Sequence, residues 1–427
     1  MKCIKIGLLG FGNVGTGVWH ILQSNTDKVE NYLEKKLEIK KILVRDPNKK
    51  RDVQVPQELF TNNANDIISD PDIAMVVEVL GGIDQAFEYM KRALENGKHV
   101  VTANKAVIAT HGDTLRKLAQ ENNVELRYEA SVGGGIPIIN TLTQSLSANK
   151  VDELVGIING TTNYILTQMT EYGMNFEDAL KLAQEKGYAE ADPTSDIEGQ
   201  DVAFKLSILI HVAFGIQISP QEIPREGITK ISKKDIEYAS QLGYKIKLFA
   251  TAKKQDNNFE FYVHPALIPL KHPLAAVSNE FNALFVRGNA VGELMLYGKG
   301  AGSMPTGSAV MGDILEIGKI IDTTYPSSSI AASNKDLLNI IGEGTSQYYV
   351  RVQVIDKPGV LGKIASTFGE YGISLESVVQ RARGEASVPL VFITHEIQRQ
   401  QLDEALQEIQ SNEMVDSIAT ILRVENL

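Results

Sequence analysis

Short apolar runs and amphipathic stretches take turns over residues 4–110 of the chain. Ile4 to Leu9, Leu37 to Val44, Ile73 to Val79 and His99 to Thr102 are apolar-rich and of strand length. Between them, Thr16 to Leu22 and Gln85 to Asn96 repeat their apolar positions at helical spacing. Strands alternating with helices predict a parallel sheet covered on both faces.

The pattern then changes. Thr170 to Tyr188 reads as one amphipathic helix with Leu180, Leu182 and Ala183 inward. Asp201 to Phe214 is apolar on nearly every helical face, which predicts burial, yet it carries Asp201 and Lys205 four residues apart on one face. Acid and amine groups in such surroundings form either a structural ion pair or a functional pair. From Lys230 to Arg287, and on to Tyr297, β-like runs recur at 245–251, 259–263, 282–286 and 293–297, predicting a sheet-based domain. A helix is expected over Ala309 to Ile321. Pro326 with three serines, and the polar stretch through Ser346, read as a linker. Beyond it, strand 347–354, helix 360–371, strands 374–380 and 388–394, helix 398–412 and strand 418–424 make a βαββαβ unit.

A chain of 427 residues is too long for one core, so two or three domains are expected. The formal charge of -11 argues against nucleic acid as a partner. No run approaches the roughly 20 apolar residues of a membrane span. The chain runs straight from Met1 into its first motif, so no signal peptide and a cytoplasmic setting are expected. The single cysteine, Cys3, excludes an internal disulfide and, lying in the first strand, reads as a packing residue. The histidines form no zinc-type ligand pair.

Gly10-Phe11-Gly12-Asn13-Val14-Gly15 follows the first strand and opens a helix, the order a dinucleotide site requires. Gly10 permits the tight turn, Gly12 lets backbone approach the pyrophosphate, and the helix N-terminus offers N–H groups to phosphate. After the second strand stand Arg45, suited to the 2′-phosphate of NADP, and Asp46, suited to the ribose of NAD; Arg45 at the strand end favours NADPH, with NADH possible. Thr102, Asn104 and Lys105 close the fourth strand and are expected to face the ligand crevice. The segment Glu129 to Pro137, with Gly133 to Gly135, is either a plain crossover or a loop whose convergent carbonyls hold a hard cation beside Glu129. Asn159-Gly160-Thr161-Thr162-Asn163 suits a carboxylate at a helix start, or an ordinary cap. Gly187, Glu190, Asp196 and Glu198 gather near the buried helix, and Gly300 to Gly302 form a second glycine turn that can pack against the cofactor.

The C-terminal unit resembles an ACT domain, whose members commonly bind amino acids at the first strand–helix turn, here Asp356, Gly359 and Leu361, and often pair between chains. Over essentially its whole length the chain resembles homoserine dehydrogenase of the monofunctional type, most specifically at 10–15, 102–105, 158–163, 187–205 and 300–302. The resemblance implies an α/β protein with an N-terminal Rossmann-like doubly wound domain (1–136), a central α+β substrate and dimerisation domain (137–300), a helix returning to the nucleotide domain (301–325), a linker (326–346) and the ACT domain (347–427). It implies NAD(P)H-dependent interconversion of L-aspartate 4-semialdehyde and L-homoserine, on the route to threonine, methionine and isoleucine. It further implies that Lys105 and Lys205 handle the proton, and that Glu190 and Asp201 receive the substrate ammonium, with Gly187, Gly160, Thr161 and Asp196 at the substrate. Sodium or a similar monovalent cation is implied at Glu129, Val132, Gly134 and Ile136, and the cofactor at 10–15, Arg45, Thr102, Asn104, Lys105 and Gly302. A homodimer or homotetramer is expected, with a possible amino-acid effector at the ACT domain. Two rivals stand beside this reading. A semialdehyde-forming dehydrogenase of the acyl-transfer type needs a cysteine nucleophile, for which Cys3 is misplaced. A non-catalytic amino-acid sensor would have no use for the two lysines and the acids.

Overall fold

The computed structural model describes residues 2–322, 339–342, 344–380 and 387–426. It divides into two units, Met1–Val151 with Phe204–Glu222 and Gly288–Lys335, and Asp152–Ala203 with Ile223–Arg287 and Asp336–Leu427.

The first unit begins β1 (Cys3–Leu9), α1 (Asn13–Ser24), α2 (Thr26–Leu33), β2 (Lys36–Leu43), β3 (Phe60–Thr61) and α3 (Asn65–Ile68). It continues β4 (Ile73–Glu78), α4 (Asp84–Glu95), β5 (His99–Thr102), α5 (Lys105–Glu121), β6 (Leu126–Arg127) and α6 (Ile138–Asn140). The six strands form a parallel sheet in the order β3-β2-β1-β4-β5-β6. The chain leaves β1 towards one edge and returns to its other side at β4, so the strand order reverses between them. Ligands of such sheets bind outside the strand C-termini at that reversal. Ile6, Leu8, Ile42, Met75 and Val77 are buried on the sheet, giving the apolar runs their cause.

Next come β7 (Val151–Ile157), α7 (Gly160–Tyr172), α8 (Phe176–Glu185), α9 (Thr194–Ile197), α10 (Gln200–Phe214) and α11 (Lys233–Gln241). They are followed by β8 (Tyr244–Gln255), β9 (Asn258–Pro269), β10 (Phe281–Gly288), β11 (Gly292–Lys299) and α12 (Ser303–Ile320). The remainder is β12 (Asn339–Gly342), β13 (Thr345–Ile355), α13 (Val360–Glu370), β14 (Leu375–Val379), β15 (Ser387–Thr394), β16 (Ile397–Gln398), α14 (Arg399–Gln410) and β17 (Val415–Val424). In the second unit one sheet runs β10-β7-β8-β9-β17-β13-β15-β14. The βαββαβ unit is present with its own core around Tyr348, Phe368, Phe392 and Leu402.

The C-terminal βαββαβ unit joins the central sheet, because β17 pairs with β9 in parallel at Arg423↔Ala266 and Val424↔Leu267. Three sequence expectations need correction. Part of the expected linker, 339–342, is β12 and pairs with β9; its first part, 326–338, lies outside the described residues. The single helix over 170–188 is broken: Gly173 takes a left-handed φ of +63° after α7, and Asn175 caps α8 by accepting the N–H of Asp178 at 2.8 Å. Ala179 and Ala183 are its buried positions. Cys3 is exposed rather than packed, with its Sγ donating to Glu38 at 3.6 Å. Partial burial and the Glu38 carboxylate raise its pKa, which disfavours the thiolate. Among the described residues, no helix is long and apolar enough to cross a membrane.

Candidate active site

The nucleotide end of the first unit is built from backbone. Gly10 has a φ of +107°, and a Cβ there would lie 2.7 Å from the carbonyl of Val79. A Cβ on Gly15 would lie 2.5 Å from the Gly10 carbonyl, whereas one on Gly12 would meet nothing within 4 Å. Gly12 therefore leaves open space where a phosphate approaches. Residue 12 is also the cap of α1, no side chain satisfies that helix end, and its first turn holds no acid. Those N–H groups and the helix dipole are left for an anion. Phe11 does more than border the motif: its ring meets Trp19 and Phe60 edge-on at 6.4 and 5.6 Å.

Gly302, with φ +122°, caps α12, and the Ser303 hydroxyl donates to the Asn13 carbonyl at 2.7 Å. The glycine turn thus sits at the start of α1. Arg45 is exposed just past β2. Asp46 is turned back on its own loop, its Oδ1 accepting the N–H of Asn48 at 2.9 Å. Sequence reasoning missed Arg51, which donates to the carbonyl of Asp46 at 2.9 Å and lies 4.4 Å above the Phe60 ring.

At the ends of β4 and β5, Thr102 donates to Glu78 Oε2 at 2.6 Å, and Glu78 Oε1 accepts the Leu80 N–H at 2.8 Å. Asn104 donates to the Gly82 carbonyl at 2.7 Å and caps α5 through Val107 N–H. Lys105, half-buried, is the first residue of α5. Glu78 is fully buried, and that burial raises its pKa against the hydrogen bonds it accepts. It went unrecognised in the sequence, although an acid inside the run Val76-Val77-Glu78-Val79 was its signal.

The 129–136 loop has donors suited to a cation. Glu129 accepts the N–H groups of Ile139 and Asn140 at 2.8 and 2.7 Å, and its own N–H donates to Asp313 at 2.8 Å. The Ile136 carbonyl accepts from Ile138 N–H at 2.8 Å. Among the described residues, the carbonyls of Val132 and Gly134 accept no hydrogen bond. The same residues contain no cluster of three His, Cys, Asp or Glu side chains.

In the second unit, the start of α7 gathers most of the expected substrate residues. Asn159 caps it, accepting Thr162 N–H at 2.8 Å, and its amide nitrogen donates to Asp196 and Asp201 at 2.7 and 2.8 Å. Thr161 donates to the Tyr188 carbonyl at 2.7 Å, which ties the turn at Gly187 to the same helix end. Glu190 stands exposed two residues further on, in a loop whose carbonyl at 190 accepts from Gln184 at 3.1 Å. Gly160 is the first residue of α7. Asp201 is buried in the first turn of α10, and Lys205, half-buried, follows one turn later on the same helix face. Two carboxylates thus share one amide beside a helix N-terminus.

A parallel sheet with a glycine turn open to a dinucleotide is the architecture of NAD(P)-dependent dehydrogenases. Residues 10–129 match the family model for the NAD binding domain of homoserine dehydrogenase, 137–315 that for homoserine dehydrogenase, and 348–413 that for the ACT domain. The homoserine dehydrogenase of Bacillus subtilis (strain 168) is 41% identical over 428 residues, covering 100% of this chain and 99% of its own. The crystal structure of a homoserine dehydrogenase from Thiobacillus denitrificans superposes with a TM-score of 0.91 at 38% identity, covering 100% and 99% of the two chains. A hyperthermophilic archaeal homoserine dehydrogenase in complex with NADPH matches 74% of this chain and 97% of its own, with TM-score 0.62 and 28% identity. The chain belongs to the homoserine dehydrogenase family. Its activity is that of an NAD(P)-dependent oxidoreductase acting on CH–OH, and nothing in the comparisons favours a sensor without catalysis.

Proposed function

We propose that the protein reduces L-aspartate 4-semialdehyde to L-homoserine, reversibly, on the route to threonine, methionine and isoleucine. The observation that carries this substrate is the Asn159 amide holding Asp196 and Asp201 together at the start of α7. Asp201 and Glu190 receive the substrate ammonium, with Asp196 and Gly187 beside them. The Gly160 and Thr161 N–H groups receive its carboxylate.

Residues 10–15, Arg45, Thr102, Asn104, Lys105 and Gly302 would hold NADPH, which would supply the hydride, with Asp46 already engaged in its own turn. The 28%-identical archaeal relative seen with NADPH supports the same preference. As the carbonyl oxygen gains negative charge it needs a cation and a proton. Lys205 supplies them as general acid and Lys105 assists. Adding aspartate semialdehyde to the enzyme with NADPH and following nicotinamide absorbance tests the reaction; unchanged absorbance refutes it. Lys205→Ala is expected to lower kcat by about 100-fold or more while changing substrate KM little, because general acid catalysis acts in the transition state.

A sodium or similar monovalent ion fits Glu129 and the carbonyls of Val132, Gly134 and Ile136, where it would brace the loop and supply no redox chemistry. Replacing sodium by tetramethylammonium at constant ionic strength is expected to lower Tm. An unchanged Tm removes the site. We further assign a homodimer or homotetramer, a cytoplasmic setting, and an amino-acid effector at the turn holding Asp356 and Gly359. Light scattering and titration with threonine test the first and last of these.

A further inference from the structure

Lys247 lies in β8, an apolar strand, and is 2% exposed. A lysine is seldom kept in such a place without a role that its amine fills. Its Nζ donates to Asn163 Oδ1 at 2.9 Å and to the Val277 carbonyl at 2.6 Å. Asn163 is one turn into α7, and its amide nitrogen donates to the carbonyls of Val277, Asn279 and Phe281 at 3.2, 2.9 and 3.1 Å. Asn279, at φ +58°, donates its N–H to Thr167 Oγ1 at 3.0 Å, so the helix is fastened to the 277–281 loop at two successive turns. The same loop reaches the helix start: a Cβ on Gly160 would lie 2.8 Å from the Glu280 carbonyl.

The sheet fixes the level at which the amine acts. β7 and β8 pair antiparallel up to Gly156↔Ala250, three residues before Asn159 on one chain segment and three after Lys247 on the other. Asn159 is the residue that caps α7 and holds Asp196 and Asp201. Lys247, Asn163 and the 277–281 loop therefore determine where the first turn of α7 sits on the sheet.

We propose that Lys247 is a positioning residue for the substrate seat, setting the place of the Gly160–Thr161 turn through Asn163 and the 277–281 loop. This rests on the reading that the start of α7 receives the substrate carboxylate. In this role Lys247 acts through Asn163 and Val277 rather than on the ligand itself. It acts by holding a helix end whose misplacement by a fraction of an ångström weakens binding of one ligand and not the other.

The test compares Lys247→Gln, Asn163→Ala, their double variant and Asn159→Ala in the full-length enzyme. KM for homoserine, KM for NADP+, kcat and Tm are measured for each. Lys247→Gln is expected to raise KM for homoserine about tenfold, with KM for NADP+ and kcat changed about twofold or less. The double variant is expected to be no worse than Asn163→Ala alone, since both residues belong to one chain of contacts. A purely structural lysine would lower Tm and leave KM for homoserine in place, and that result overturns the proposal, as does an equal rise in both KM values. If Lys247→Gln does not fold, Asn163→Ala decides by the same split. If Asn159→Ala raises KM for homoserine while Lys247→Gln and Asn163→Ala do not, the seat stands and the role of Lys247 falls. If Asn159→Ala has no effect either, the carboxylate seat falls and the proposal with it.

Discussion

At the scale of single residues, the site depends on polar groups that burial makes sensitive to their partners. Burial brings the Lys247 pKa down to about 7, helped by the charge of Lys245 and opposed by Glu171. In the unfolded chain the same amine titrates near ~10.4. Between these values the unfolded state binds the extra proton, so stability contributed at this site rises with pH. Below the lower value both states are charged, and the full desolvation penalty is present. The stability of wild type relative to Lys247→Met is therefore expected to climb from pH 7 to 10, with a slope up to about 1.4 kcal/mol per pH unit. Methionine removes the Lys247 donor from Asn163 Oδ1 and leaves the Val277 carbonyl with the Asn163 amide alone, but that loss is a constant offset and does not alter the slope. Urea unfolding at a series of pH values measures it, and parallel profiles refute it.

At the scale of elements, local pattern was readable and long-range pairing was not. β5 is His99 to Thr102 as expected, because a short apolar run between two polar segments admits little else. The reading of 170–188 as one helix failed at Gly173, whose left-handed conformation is invisible to apolar spacing. β17 could be placed as a strand but not assigned to β9, since pairing across sheets leaves no periodic trace. Glu78 and Lys247 escaped for the same reason: each finds its partners across the fold, as do the bonds that Asn163, read only as part of the 159–163 turn, makes to the 277–281 loop. The crossing of α1 and α12 is a further case, made by Gly17 and Gly307. A Cβ at 307 would stand 2.8 Å from the Gly17 carbonyl carbon, so the two helix backbones are in contact. Gly307→Val must push α12 off α1, at a cost of about 1–3 kcal/mol from overpacking. Ser303 would then lose the Asn13 carbonyl at the cofactor end. KM for NADP+ should rise more than KM for homoserine, and the opposite order would show that α12 does not support the cofactor turn.

At the scale of the whole molecule, the second unit welds its C-terminal βαββαβ part to its central part by more than a shared sheet. Asp235, fully buried on α11, accepts from Arg351 Nε at 2.7 Å and Nη2 at 3.1 Å. Tyr349 and Thr420 donate to the same carboxylate at 3.2 and 3.1 Å, the Ser232 hydroxyl donates to it at 2.6 Å, and the Ser232 N–H closes a capping box on it at 3.0 Å. β13 and β17 thereby clasp α11, which packs in turn on α7. A buried pair of this kind adds little over an apolar replacement, but losing one partner leaves a charge stranded. Arg351→Ala is expected to destabilise by about 3–5 kcal/mol, whereas Arg287→Ala, whose half-exposed guanidinium bonds Glu153 at 2.8 Å, should have a much smaller effect. The transition should also change shape. With the clasp intact, the central strands and the C-terminal part unfold together, because β17 bridges them and Asp235 locks them. Without Arg351 they stay joined by Tyr349 and Thr420 on Asp235, two residue pairs between β9 and β17, Glu425 on Lys253, Tyr262 and Leu267, Arg423 over the Tyr262 ring, and the pairing of β12. Urea unfolding of Arg351→Ala, followed by circular dichroism and by limited proteolysis, should then resolve two steps where wild type shows one for this unit. A single undisplaced transition would mean that the shared sheet alone carries the coupling.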